Sequence, residues 1–273
     1  MLINLKNFIA LLAFPLLLFQ EKRPASVVSI RAHDDPTWNG KKAAVVLTYD
    51  DGLNVHLDNA IPLLDSLNLK ATFYVSNYPD ALNRRMNDWR KAAGNGHELG
   101  NHTIMHPCLG NIPGREWVQP EYDMSKYSPA RMADEIRTAN MLLRAIDGKT
   151  GRSFAYTCGD KTINGVDYLA PFKKEFSCAR GVNQGMHTKN DIDLFDVKCY
   201  STNGQTAEEV ISWVKEAQAN NKLLVFLFHG IGGEHSLNLS LDAHRKLLRY
   251  LKDNEKDIWV ATMDEVARYV ADL

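Results

Sequence analysis

Three short clusters in the sequence carry side chains that could do chemistry together. Asp50 and Asp51 stand side by side, followed by Gly52. Adjacent carboxylates repel, and a turn gives them nothing to pack against. A divalent cation makes such a pair favourable and leaves the second carboxylate over as a base. His102 and His106 lie four apart, a spacing that puts two imidazoles on one face of a helical turn, within reach of one ion. His229 precedes Gly230, and an imidazole that titrates near neutrality can act as a proton donor. Each cluster alone also has a plain structural reading. Asp-Asp-Gly is ordinary turn chemistry, two histidines can lie on a surface, and a lone histidine is more often a hydrogen-bonded structural residue. Taken together they are the inventory for metal-assisted hydrolysis of an acyl group. One carboxylate and two imidazoles hold a divalent ion with positions left open; a second carboxylate and a third imidazole supply base and acid. Zinc suits that donor set, and cobalt, nickel or manganese are not excluded by ligand type. His235 follows Gly232-Gly233 in the loop after His229 and could line the same cleft, whereas His97 precedes its strand and belongs to the opposite end.

These clusters need strands to carry them. Residues 43–49 (AAVVLTY) read as a buried strand ending at the paired aspartates, and residues 98–101 as a short strand ending at His102. Residues 223–228 (LLVFLF) read as a strand ending at His229. Further strands are expected at 71–75, 153–157, 178–182 and 258–262. Helices are expected at 57–67, 88–93, from Pro129 to 146 behind a Ser128 cap, from Thr206 to 220 behind a Thr206/Glu209 capping box, and from Ser240 to 253. A short helix closes the chain. The alternation predicts a mostly parallel sheet with helices outside, and in such folds sites gather at the carboxyl ends of strands. All three clusters fall there. Residues 107–128, punctuated by Pro107, Pro113, Pro120, Gly110 and Gly114, read as a long surface loop. Its Trp117, Tyr122 and Tyr127 could form a stacking platform for sugar rings, or could pack the loop on itself.

The bulk numbers agree with one globular domain. The chain has 273 residues, 45% hydrophobic and 24% charged, with 32 basic against 33 acidic side chains. A net charge of −1 gives no basis for nucleic-acid binding. Nothing in the sequence fixes an oligomeric state. Lys6 precedes the apolar run from Phe8 to Phe19, which at about 12 residues fits a signal-peptide core and falls short of the roughly 20 needed to span a bilayer. Residues 1–25 are therefore expected to be a signal peptide, or an anchor if uncleaved, which would be the chain's one membrane contact. Residues 26–40 read as a turn-rich linker and 41–273 as the domain. The expected location is secreted or periplasmic.

In its motifs the chain resembles the NodB-type polysaccharide deacetylases, the fourth family of carbohydrate esterases, over about residues 43–271. Thr48-Tyr49-Asp50-Asp51-Gly52 resembles the family's T-[FY]-D-D-G and His102 to His106 its H-[ST]-x-x-H. Lys70 to Val75 resembles K-A-T-F-F-V, and Leu227-Phe228-His229 the closing L-x-H. The resemblance implies a distorted (β/α)7 barrel in a single domain and a hydrolase that removes N- or O-linked acetyl groups from an acetylated carbohydrate. It implies Asp50 as general base, Asp51, His102 and His106 as metal ligands, and His229 as general acid. The third motif departs from the family pattern. Phe154 to Asp160 (FAYTCGD) puts Ala155 where many members carry an arginine that steadies the base, and Thr157 where they carry a proline. Arg180 is the candidate replacement, with a surface or structural arginine as the alternative. Tyr156 and the backbone N–H of Cys158 are expected at the substrate and its oxyanion. Asp193 and Asp196 are candidates for the fourth motif. Since Cys108 and Cys158 both border the implied cleft, a Cys108–Cys158 disulfide is expected, and Cys178–Cys199 as a second; four free thiols are the alternative. Rival readings are a non-catalytic carbohydrate-binding relative, supported by Ala155, and an amidase acting on a small non-sugar substrate.

Overall fold

A computed structural model of the chain describes residues 37–77 and 81–272. The expected leader and linker residues 26–36 lie outside them. Seven parallel strands close a barrel: β1 (Ala43–Asp50), β2 (Thr72–Val75), β3 (Glu98–Asn101), β4 (Arg152–Ala155), β5 (Phe176–Gln184), β6 (Val197–Ser201) and β7 (Leu223–Phe228), with β7 returning to β1. The outer layer comprises α1 (Ile61–Ser66), α2 (Ala81–Arg84), α3 (Met86–Gly94), α4 (Pro129–Asp147), α5 (Ala207–Ala219), α6 (Leu241–Asp253) and α7 (Met263–Ala271). An eighth strand, β8 (Ile258–Ala261), pairs with Ala43–Val46 of β1, while β2 pairs with Thr48–Asp50 of the same edge. The distorted (β/α)7 barrel is thus present.

Alternation along the strands explains what faces where. Val45, Leu47 and Tyr49 of β1 join Phe73, Leu224, Phe226 and Phe228 in the apolar layer under the helices. Ala44 and Val46 join Ala155, Cys178, Val197, Val225 and Leu227 in the second cluster, inside the barrel. With a period of two, Asp50 and Arg180 fall on the inward set. The helix signals act as read: Ser128 Oγ accepts from Arg131 N (3.1 Å), Gly148 ends α4 at φ 73°, and Thr206 and Glu209 form the capping box of α5.

One expectation needs correction. No strand is expected between 182 and 223, yet β6 lies there. Its five residues, VKCYS, are too short and mixed for a hydrophobic run, although Val197 and Cys199 are buried and Lys198 is exposed, as period-two alternation requires. Trp38, within the expected linker, is fully buried, and its Nε1 donates to Asn221 O at 2.9 Å, so it packs onto the barrel. Among the described residues no helix is long and apolar enough to cross a membrane.

Candidate active site

Asp50 is the last residue of β1 and Asp51 the first of the turn, with φ 77°. Gly52 follows at φ 68°, where a Cβ would come 2.8 Å from Val75 Cγ1, so only glycine fits. The tight turn leaves both carboxylates buried at the barrel mouth.

The two histidines after β3 converge, but not on a helical turn as their spacing suggests. Thr103 and His106 are left-handed (φ 58° and 51°), and no helix covers 102–106. Side chains hold this costly turn. Thr103 N donates to Asn101 Oδ1 (2.8 Å), and His106 N to Thr103 Oγ1 (3.1 Å). The buried Glu135 of α4 accepts from Met105 N (2.8 Å) and Ile104 N (3.2 Å). His102 Nδ1 donates to Ala155 O at 2.9 Å, which leaves the Nε2 lone pair facing the cleft. His106 Nε2 is 3.3 Å, and His102 Nε2 3.6 Å, from Asp51 Oδ1. That oxygen is buried and has no hydrogen-bond partner.

Arg180 reaches the site from β5, fully buried, and its Nη2 bonds Asp50 Oδ2. Its guanidinium also lies 5.1 Å from the Tyr74 ring centroid. The cation missing at Ala155 therefore arrives from the neighbouring strand, since Ala155 and Arg180 are register partners between β4 and β5. Cys108 and Cys158 are joined in a disulfide, with Cα atoms 5.8 Å apart. It ties the loop after His106 to the turn after β4, where Cys158 is left-handed (φ 54°). Cys178 and Cys199 are separate buried thiols, which corrects the second expected bridge. In the β5–β6 register Arg180 opposes Val197. The two cysteines are thereby offset by about four residues, roughly 13 Å along the strands, beyond disulfide reach. Asp193 and Asp196 stay outside the cleft: Asp193 Oδ1 accepts from Phe195 N (2.8 Å), and Asp196 pairs with Lys161 (2.5 Å).

His229 follows β7. Its carbonyl accepts from His56 Nε2 at 2.7 Å, and His56 Nδ1 accepts from Leu53 N at 3.1 Å. His56, given no role from sequence, thus anchors the His229 backbone; nothing in its surrounding sequence signals this. His235 stacks on His229 with centroids 4.6 Å apart. These groups line one cleft of about 380 Å³ with Tyr156, Cys158, Arg115, Trp117 and Leu237. Tyr156 turns its hydroxyl away, to Phe195 O at 3.2 Å, and contributes a wall. Of the three loop aromatics, Trp117 lines the cleft, 56% exposed, while Tyr127 is buried with its hydroxyl on Glu135.

The electrostatics favour a positive charge between the carboxylates. Burial alone would raise Asp51, but His106, His102 and His229 hold it well below the usual carboxylate range. Burial pushes His106 down to about 4 and lowers His229. Burial also opposes a charge on His102, yet Asp50 and Asp51 raise it. Asp51, His102 and His106 each offer one donor atom within 4.8 Å of the others. A one-carboxylate, two-imidazole set with an orphaned carboxylate oxygen at its centre fits a divalent cation such as zinc.

A closed parallel barrel thus carries an Asp–His–His set and a spare aspartate at the carboxyl ends of its strands. Residues 38–170 match the family model described as "Polysaccharide deacetylase". A Bradyrhizobium chitooligosaccharide deacetylase is 31% identical over 37% of this chain and 39% of its own length. A Bacillus cereus peptidoglycan-N-acetylglucosamine deacetylase is 37% identical over 28% of this chain and 27% of its own length. The matched segments thus span well under half of these relatives. A Mycobacterium smegmatis structure assigned to the polysaccharide deacetylases shares the fold, with a TM-score of 0.62, 16% identity, and coverage of 86% of this chain and 93% of that one.

Proposed function

We propose that the chain hydrolyses acetyl groups from a carbohydrate, using a divalent cation held by Asp51, His102 and His106, with zinc as the best fit. The observation that carries this reading is the orphaned Asp51 Oδ1, buried between the Nε2 atoms of His106 and His102. When bound, such a cation polarises an acyl carbonyl and makes water a nucleophile near neutral pH. Asp50, whose Oδ1 is buried and free of partners while Oδ2 bonds Arg180, takes the proton of the attacking water. Arg180 fixes which carboxylate oxygen is available. His229 lies across the cleft and gives a proton to the leaving sugar oxygen or nitrogen. The N–H of Cys158, a residue of the cleft lining, supplies a donor to the oxyanion in this reading.

Trp117, presented at the cleft edge, suits stacking on a sugar ring, and the relatives' chitooligosaccharide and peptidoglycan substrates favour an N-acetylated sugar here. Export is part of the same reading, supported by the apolar run at Phe8–Phe19 and by the Cys108–Cys158 disulfide, which belongs to oxidising compartments. The sequence argument for the non-catalytic alternative is weakened, because Arg180 supplies the cation that Ala155 lacks.

The test is acetate release from chitooligosaccharide, peptidoglycan and acetylxylan, with and without a chelator. Release that stops on chelation and returns with zinc is expected, fastest on an N-acetylated substrate. Asp50→Asn and His229→Ala should each lose about 10²- to 10⁴-fold in turnover while retaining the ion. Wild-type turnover in Asp50→Asn, or release indifferent to chelator, refutes the assignment.

A further inference from the structure

The loop from Gly230 to Leu239 returns to the site a side chain that the reading above does not use. It is firmly built. Gly230 N donates to Leu237 O (2.9 Å), Gly232 N to Leu239 O (2.8 Å) and Gly233 N to Asn238 Oδ1 (2.8 Å). Glu234 pins it to the other side of the cleft by accepting from Asn54 Nδ2 (2.6 Å) and Val55 N (2.7 Å). The loop delivers His235, stacked on His229 at an interplanar angle of 16°. His235 Nε2 lies 3.9 Å from Asp51 Oδ2, the oxygen opposite the one that faces His102 and His106.

Asp51, His229 and His235 also bring donor atoms within 4.8 Å of one another, so a second cation bridged by Asp51 is the competing reading. The ring chemistry decides between the two. His235 Nδ1 accepts from Leu237 N at 3.0 Å, so in the neutral ring the proton sits on Nε2. An Nε2 that carries a proton cannot ligate. Ligation there would require an imidazolate or the loss of the Leu237 bond. What Nε2 can do is donate.

The geometry points to His235 as a positioning residue for Asp51. At 3.9 Å its Nε2–H is beyond a direct hydrogen bond to Oδ2 and holds it through one water, leaving Oδ1 turned toward the imidazole pair. Ligating carboxylates are generally fixed by such outer hydrogen bonds, whose loss costs about 10- to 100-fold in metal affinity. This inference rests on the metal reading of the site.

The test is titration of the chelator-stripped full chain with Co²⁺, followed by calorimetry and visible absorption. His235→Phe keeps the stack and removes the donor; His235→Gln restores a donor. Wild type should bind one equivalent. His235→Phe should bind about 10- to 100-fold more weakly with an altered cobalt spectrum, and His235→Gln within about threefold of wild type. Unchanged affinity in His235→Phe, a Gln variant as weak as Phe, or a second cobalt equivalent that needs His235 overturns the proposal. A wild-type chain that binds no cobalt overturns the metal reading itself, a result visible before any variant is compared. Should His235→Phe lower the unfolding midpoint of the stripped protein, ¹⁵N NMR of wild-type His235 decides instead: the Nε2–H tautomer supports the assignment and the Nδ1–H tautomer overturns it.

Discussion

At the scale of single residues, the pairing of Arg180 with Asp50 is the feature on which the proposed activity and the stability meet. Both groups are buried, and the contact holds Arg180 charged: burial opposes the charge, but Asp50 outweighs it. Removing one partner of a buried ion pair strands the other, at about 3–5 kcal/mol. Arg180→Met is therefore expected to lower the urea unfolding free energy by that amount and to abolish most acetate release. The double variant Asp50→Asn/Arg180→Met should regain much of the stability and none of the activity. Equal stability in the two variants would show that no charge is stranded. Residue types and spacing alone bring Asp50, Asp51, His102, His106 and His229 into view, because chemistry restricts which side chains can do the work. Arg180 is visible as the cation a buried base needs once Ala155 is seen to lack one. Glu135 and His56 stay hidden, since they act on backbone groups of other segments and leave no local pattern.

At the scale of elements, the loops do the positioning and the strands set the direction. The Cys108–Cys158 disulfide closes a separation of 50 residues between the loop after β3 and the turn after β4. Loop-closure entropy assigns such a link roughly 4 kcal/mol. Cys108→Ala/Cys158→Ala should lose up to about that much in chemical denaturation and should also lose turnover, because Cys158 and His106 no longer share an anchor. Unchanged turnover would show that the loops are held by their other bonds. Strand ends were legible wherever apolar runs meet polar clusters, as at Tyr49–Asp50 and Phe228–His229. The conformation of the 102–106 turn was not. A spacing of four is compatible with a helix, and only Asn101, Thr103 and Glu135 in three dimensions select the left-handed alternative. β6 is not legible in the sequence, because five residues of mixed polarity carry little period-two signal.

At the scale of the whole molecule, buried neutral histidines make the fold sensitive to acid. Burial pushes His244, whose Nε2 meets Tyr49 OH at 2.8 Å, down to about 3, and His56 down to about 4. A histidine held below its unfolded value near 6.5 contributes fully above that pH. The contribution is lost as pH falls toward the folded value, since the unfolded chain then binds protons the native one refuses. Each should cost about 2 kcal/mol between pH 7 and pH 5. His244→Gln, which keeps a polar partner for Tyr49, should flatten that slope by about the same amount. An identical slope would show that His244 is protonated in the fold.

The closure of β7 onto β1 has its own consequence for how the protein comes into being. Thr48 Oγ1 donates to Phe226 O across 178 positions of sequence, and every residue of β1 is buried. During synthesis, β1 is among the first barrel strands to emerge, yet the neighbour that covers its long edge arrives near the end. Until then an apolar ribbon with unpaired amides waits in the open, a state prone to self-association. Products halted before Leu223 should therefore accumulate as aggregates rather than as soluble fragments, as sedimentation of truncated chains would reveal. Recovery of a soluble, cooperatively melting fragment would show that the seam can wait unharmed.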